Sequence, residues 1–350
     1  MKNVFTKFGK KSNFIKDLKK YFITANNSLK KNDEIINRVY TKQRKRQNCK
    51  NCQNTIGNVD FKKQEVSYSI CKTCGHLNGI FEDTNEFCKI AYQGIGRDGF
   101  MANYSSKNKK DYDKRVQQIY IPKVKFLLES LQRDGVNTND LGFSDIGSGL
   151  GHFVSALLLQ GQKKVTGHEV SKENVSISNS IIGQDLIEYH DINETLDIAK
   201  NIQSNVVSMI GVLEHLQEPN SVLKELCNNP KVQYIFICVP LFGPSVFFEM
   251  LSPKTFHRQL SIDHTHLYTD SSIKWISKKL NLERVSEWWF GQDILDLYRH
   301  TLVNACTDCE LSSFATNEFN KMFTPLIDSL QLVIDKEKHS SEVHILLKKA

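Results

Sequence analysis

The chain has 350 residues, 40% hydrophobic and 24% charged, with a formal net charge of +7. That balance excludes a disordered or fibrous chain and leaves room for two domains, one with a sizeable core. No membrane span is expected, because the most apolar run, Val232–Leu251, is interrupted by Gln233, Pro240, Pro244 and Glu249.

The charge is concentrated at the start. Met1 to Arg46 holds fourteen Lys and Arg against three acids, so the remainder carries −4. A basic arm beside a mildly acidic body suits nucleic acid, an anionic membrane or a polyphosphate, or is a solvated Lys-rich helix. Phe5, Phe8, Phe14, Tyr21 and Phe22 interleave the charges and offer packing onto the body. Residues 1–47 are therefore expected to form a basic, helical arm. Lysines run through Met1–Phe22 with no apolar stretch of secretory type. A cytoplasmic location is expected, with the nine cysteines reduced or metal-bound.

Residues 48–90 read as a zinc ribbon. Cys49 and Cys52 form one C-x2-C pair and Cys71 and Cys74 a second, with eighteen residues between the pairs. Each pair sets two thiolates on one side of a tight turn, and two turns complete a tetrahedral four-thiolate site for Zn²⁺. With no open coordination position, that zinc is structural. The intervening VDFKKQEVSYSI alternates like a strand. Gly57 and Gly75 fall where the turns favour small residues, and His76 reads as a surface residue. The remaining C-x2-C pair, Cys306 and Cys309, has no second pair to complete it.

Residues 91–350 read as one α/β domain. A helix over Tyr104–Leu131 precedes the first strand; Tyr112, Arg115 and Tyr120 on it either cover a cofactor or pack the helix. Strands are expected at Gly142–Ile146, Lys164–His168, Leu186–His190, Asn205–Ile210, Tyr234–Val239, Glu283–Trp289 and Glu342–Leu347, with helices between most of them. Such alternation implies a mostly parallel, Rossmann-like sheet of seven strands. Beyond Arg299 the expectation is one helix, about Ser312–Ile334, and the closing strand.

The first strand runs into Asp145, Gly147, Gly149 and Gly151. A glycine turn lets a cofactor approach the backbone at a helix start. The nicotinamide spacing G-x-G-x-x-G would need glycine at 152, where His152 stands. Glu169 ends the second strand, where a carboxylate can hold both ribose hydroxyls. Asp191 ends the third, within reach of an adenine amino group. The fourth leads into Val212-Leu213-Glu214-His215-Leu216-Gln217-Glu218-Pro219.

Together these residues, over about Leu141–Val239, resemble the class I S-adenosylmethionine-dependent methyltransferases, and within them the group with an LEHLxxP segment after the fourth strand. The resemblance implies that Asp145, Gly147, Gly149, Gly151 and Val212 cradle the donor, that Glu169 binds its ribose and that Asp191 lies by its adenine, with Tyr112 a possible cover. The zinc ribbon ahead of such a domain is similar to the layout of sugar C-methyltransferases acting on nucleotide-linked deoxysugars, although their C-terminal domain is not recognisable in Arg299–Ala350.

Ligands bind at the carboxyl edge of such sheets. The acceptor's base is therefore expected among Glu214 and His215 after the fourth strand and His257, Asp263, His264 and His266, with Arg258 and Tyr268, after the fifth. A catalytic metal with Asp263 and a purely structural role for these histidines are the alternatives at this loop. No N/D-P-P-Y/F or Pro-Cys segment follows the fourth strand, which disfavours base methylation. The expected acceptor is a small molecule: a sugar, nucleotide-sugar or surface-glycan unit. The alternatives are an RNA methyltransferase gripping phosphates with arm and ribbon, and a non-catalytic zinc-ribbon binding protein.

Overall fold

The computed structural model describes residues 3–11, 23–93, 109–261, 264–309 and 311–350. Phe14, Tyr21, Phe22 and Asp263 lie outside them.

Twelve strands are present among the described residues: β1 Phe5–Phe8, β2 Phe61–Lys63, β3 Val66–Ile70, β4 Leu77–Gly79, β5 Gly142–Ile146, β6 Lys164–Glu169, β7 Ile187–Tyr189, β8 Val206–Ile210, β9 Tyr234–Pro240, β10 His266–Leu267, β11 Leu282–Phe290 and β12 Glu342–Lys349. Eight of them form the main sheet, in the order β1-β11-β12-β9-β8-β5-β6-β7. From β9 to β7 neighbours are parallel, whereas β12 runs antiparallel to both β9 and β11.

Every residue of β5 and β9 is buried, as a parallel strand covered on both faces requires. Alternation along β9 divides the core. Ile235, Ile237 and Val239 face one cluster with Val222, Leu223 and Leu226 of the helix Pro219–Asn228 and Ile273 and Ile276 of the helix Asp270–Lys279. Tyr234 and Phe236 face the other, with Phe126 and Leu127 of the helix Ile121–Arg133 and Phe153 and Leu157 of the helix His152–Leu159.

The seven expected strands all lie in this sheet, and an eighth extends it. Phe5–Phe8, expected to be helical, pairs in parallel with β11. Phe5 packs into one core cluster and Phe8 into the other, on opposite faces of the sheet, as residues three apart in a strand do and residues three apart in a helix do not. Lys7 lies over the Trp288 ring at 3.9 Å, and the Trp288 indole N–H donates to the Gly9 carbonyl at 2.9 Å. Farther along, the arm is helical over Asn26–Tyr40. The C-terminal region departs too: a helix spans Asp293–Asp308, and the expected single helix divides into Ser313–Phe323 and Ile327–Lys336 around the turn Thr324–Leu326. Pro325 accounts for the division, because it lacks the amide proton a continuous helix needs.

The second sheet is the ribbon, ordered β10-β4-β3-β2. The segment read as one strand is a hairpin, turning at Gln64 in the left-handed region (φ 52°). Its fourth strand, β10, comes from the loop after β9, so the ribbon sheet is completed by residues 190 positions downstream.

Trp288 is 2% exposed and packs on Phe126 and Phe290. Trp288→Ala is expected to cost about 3–5 kcal/mol, read as a lower midpoint in urea unfolding, and to release Phe5–Phe8 to proteolysis.

Candidate active site and metal centre

The glycine loop turns at the carboxyl end of β5. Gly147, Gly149 and Gly151 have φ of 68°, 55° and 71°, a region that side chains disfavour. A Cβ on Gly147 would meet Val212 at 2.6 Å, so glycine is required where the ends of β5 and β8 close on each other. A Cβ on Gly149 would meet nothing within 4 Å, which leaves space above the backbone there. Gly151 caps the helix His152–Leu159.

Glu169, at the end of β6, is tied to this loop. Its carboxylate accepts from the Gly149 amide at 2.8 Å and from the Ser171 amide at 2.9 Å. Burial pushes its pKa up, and these amides oppose the shift. Asp145 is 3% exposed and accepts from the Ser208 hydroxyl at 2.6 Å. Burial pushes its pKa up to about 7, against a smaller opposite pull from Ser208.

Asp191 stands at the end of β7 as the cap of a short helical turn, one carboxylate oxygen accepting from the Asn193 amide at 2.9 Å. Ile192 beside it is exposed. Tyr112 is buried: its hydroxyl is 2.7 Å from Ser155, and its ring stacks on His152, which also stacks with Tyr120. It fixes the start of the helix that follows the glycine loop.

After β8 the chain turns at Gly211 and presents Glu214, 3% exposed, and His215. His264 comes from the loop after β9. The Glu214, His215 and His264 ligating atoms all lie within 4.8 Å of one another. The histidine rings are 5.2 Å apart, and the His264 Nδ1–H donates to the Gln259 carbonyl at 2.9 Å.

The other loop residues separate from this cluster. His257 is buried with Nε2 bonded to the Ser252 carbonyl at 2.9 Å, and Arg258 pairs with the buried Asp296 at 2.7 Å; both anchor the loop. His266 lies in β10, 1% exposed, with Nδ1 2.8 Å from Nε2 of His76. Burial, reinforced by Lys50, holds both histidines neutral: His76 falls to about 3 and His266 well below its usual value. His76 is thus a wholly buried residue of the ribbon face, not a surface one. Only its partner in space reveals this, and no spacing rule connects positions 76 and 266. Tyr268 is also buried, with its pKa raised first by burial and then by Glu214.

The four ribbon cysteines are buried and converge, with sulfurs 3.7 Å apart for Cys49 and Cys74 and 3.4 Å apart for Cys52 and Cys71. A tetrahedral four-thiolate zinc with bonds of about 2.3 Å has sulfur–sulfur edges of about 3.8 Å. The set is compatible with one Zn²⁺. The left-handed residues of the two turns are Gln53 and Gly75, so Gly57 has no such role. Cys306 and Cys309 are exposed on the C-terminal helical region. The centre is bolted to the larger sheet: Ser271 and Thr269 donate to the Cys74 and Gly75 carbonyls, and Trp275 packs against the cysteines.

A methyltransferase-domain family model matches residues 112–287, half of the chain, and the chain belongs to that family. It is a class I S-adenosylmethionine-dependent methyltransferase. No curated protein matches it. Among solved structures it is similar to plantazolicin methyltransferase, at 12% identity over 75% of this chain and 94% of that one, with a TM-score of 0.46. It is also similar to magnesium protoporphyrin IX methyltransferase from Synechocystis PCC 6803, at 16% identity over 57% and 90% of the two chains, TM-score 0.41. Coclaurine N-methyltransferase is similar at 12% identity over 64% and 71%, TM-score 0.40. Among the described residues, no helix is long and apolar enough to cross a membrane.

Metal analysis is expected to return about one zinc per chain, lost in Cys71→Ser. Asp145 yields a pH dependence in the donor-free protein. Its native pKa near 7 exceeds the ordinary 3.8, so the native state holds the extra proton between these values. Stability contributed at low pH is therefore lost as pH rises through that window. Asp145→Asn is expected to flatten this decline in denaturation midpoints measured from pH 4 to 8.

Proposed function

We propose that this methyltransferase modifies a small polyol acceptor: a sugar, nucleotide-sugar or glycan unit, at a hydroxyl or at a carbon made acidic by a neighbouring keto group. The observation that carries the reading is the meeting of Glu214, His215 and His264 at the carboxyl edge, one turn of chain beyond Val212, which touches the glycine loop.

In this reading Asp145, Gly147, Gly149 and Gly151 hold the donor's methionine portion. Glu169 takes the ribose hydroxyls on the oxygen lone pairs its two amides leave free. Asp191 and Ile192 border the adenine, and Val212 lies beneath the methionine. Tyr112 supports the site through His152 without touching the donor. Methyl transfer is an in-line displacement at a sulfonium, so the protein's tasks are to position the acceptor and help its proton leave. Glu214, His215 and His264 serve that second task. His266 acts only through the wall it builds with His76. The ribbon, residues 48–90, is a structural support of the acceptor side. The arm's first strand is part of the sheet, which supports a packing role over nucleic-acid binding.

Incubation with methyl-labelled donor and pools of nucleotide-sugars, glycans and RNA is expected to label the sugar pools; label in RNA alone would overturn the reading. Glu169→Ala is expected to weaken donor binding by about 1.5–3 kcal/mol, the loss of charge-assisted hydrogen bonds, measured by calorimetry. His215→Ala is expected to lower the transfer rate by about 10²–10⁴-fold while donor affinity stays unchanged.

A further inference from the structure

Two imidazoles and one carboxylate that converge from separate loops match the donor set of a transition-metal site. We propose that Glu214, His215 and His264 bind a second metal, a divalent transition cation, to which the acceptor's oxygens coordinate. This rests on the acceptor reading above and gives its hydroxyl a means of activation.

Four observations support the site. The three ligating atoms lie within 4.8 Å of one another, close enough for small side-chain rotations to bring them onto one ion. They come from two loops that meet only in the folded chain, Glu214 and His215 after β8 and His264 after β9. The His264 Nδ1–H is committed to the Gln259 carbonyl, and Gln259 is itself fixed by its side-chain amide on the Leu241 and Ser341 carbonyls. That arrangement sets the tautomer and aims the Nε2 lone pair outward, as metal-binding histidines require. Finally, Glu214 is 3% exposed whereas both histidines are half-buried, so the set is closed behind and open in front.

Three protein ligands leave coordination positions for two oxygens of an acceptor, and nitrogen donors favour a transition metal over Mg²⁺ or Ca²⁺. One carboxylate against a divalent ion leaves net positive charge to lower the pKa of a bound hydroxyl. The acceptor class this selects has two neighbouring oxygens, a vicinal diol or hydroxy-ketone. In the transfer its O–H bond breaks and the proton passes to water. The oxygen pair forms the C–O bond as the methyl–sulfur bond breaks, and the donor leaves as the neutral thioether.

The test titrates Mn²⁺ into the full-length, zinc-loaded protein, followed by electron paramagnetic resonance and calorimetry, with zinc content measured on the same sample. The expected result is one Mn²⁺ per chain beyond the zinc, with affinity lowered more than about tenfold in His264→Ala and in Glu214→Gln, a loss that even removal of an outer-shell partner brings. Retained zinc and an unchanged donor affinity in those variants show that the fold survives. Absence of Mn²⁺ binding by the native chain, or equal binding by folded variants, overturns the proposal. If the sugar pools are labelled and Mn²⁺ does not bind, the metal falls and the acceptor reading stands. If Mn²⁺ binds as expected and no sugar pool is labelled, the metal stands and the acceptor reading falls.

Discussion

The contact between Gly147 and Val212 sets the geometry on which the rest of the site depends. Two adjacent parallel strands, β5 and β8, send their chains in opposite directions at their carboxyl ends, and a crevice opens between them. The loops can lie this close only because position 147 has no side chain, since a Cβ there would come within 2.6 Å of Val212. Glu169 then locks the open side of the loop by taking the Gly149 amide. One buried carboxylate thus shapes the loop backbone, holding the Gly149 amide with one oxygen and the Ser171 amide with the other.

The ribbon is not an appendage to this sheet. β10, which completes its four strands, lies only two residues after His264, and Leu241 at the end of β9 bridges to Tyr268 just beyond it. The buried His76–His266 pair and the hydrogen bonds from Thr269 and Ser271 to the second cysteine turn join the metal centre to the helix Asp270–Lys279. A structural metal restricts the conformations of the residues around it, and in small modules its binding free energy is folding free energy. Here that constraint extends into the loop that carries His264, so the ribbon and the loop after β9 share one scaffold.

Residues that look equivalent in the sequence have different fates for the same reason. His257, His264 and His266 lie within ten positions, yet one anchors its loop to the Ser252 carbonyl, one faces Glu214, and one is enclosed in the ribbon sheet. Their roles follow from strand β10, a two-residue element whose partner is β4. Local pattern carries no trace of that pairing. Tyr112 shows the complementary case: its place before the first strand was legible, but its stacking on His152 was not.

The sequence by itself determined the strand order's raw material, the glycine loop, the two acids at strand ends and the four cysteines. These are local statements, written in alternation, in the left-handed preference of glycine and in the spacing of a metal turn. Only the tertiary structure decided that Phe5–Phe8 is an edge strand, that His76 is buried against His266, and that His264 joins Glu214 and His215. Each is a contact between segments separated by tens to hundreds of residues. Such pairings are selected by the burial and hydrogen bonding of the whole chain, which no short stretch of sequence encodes.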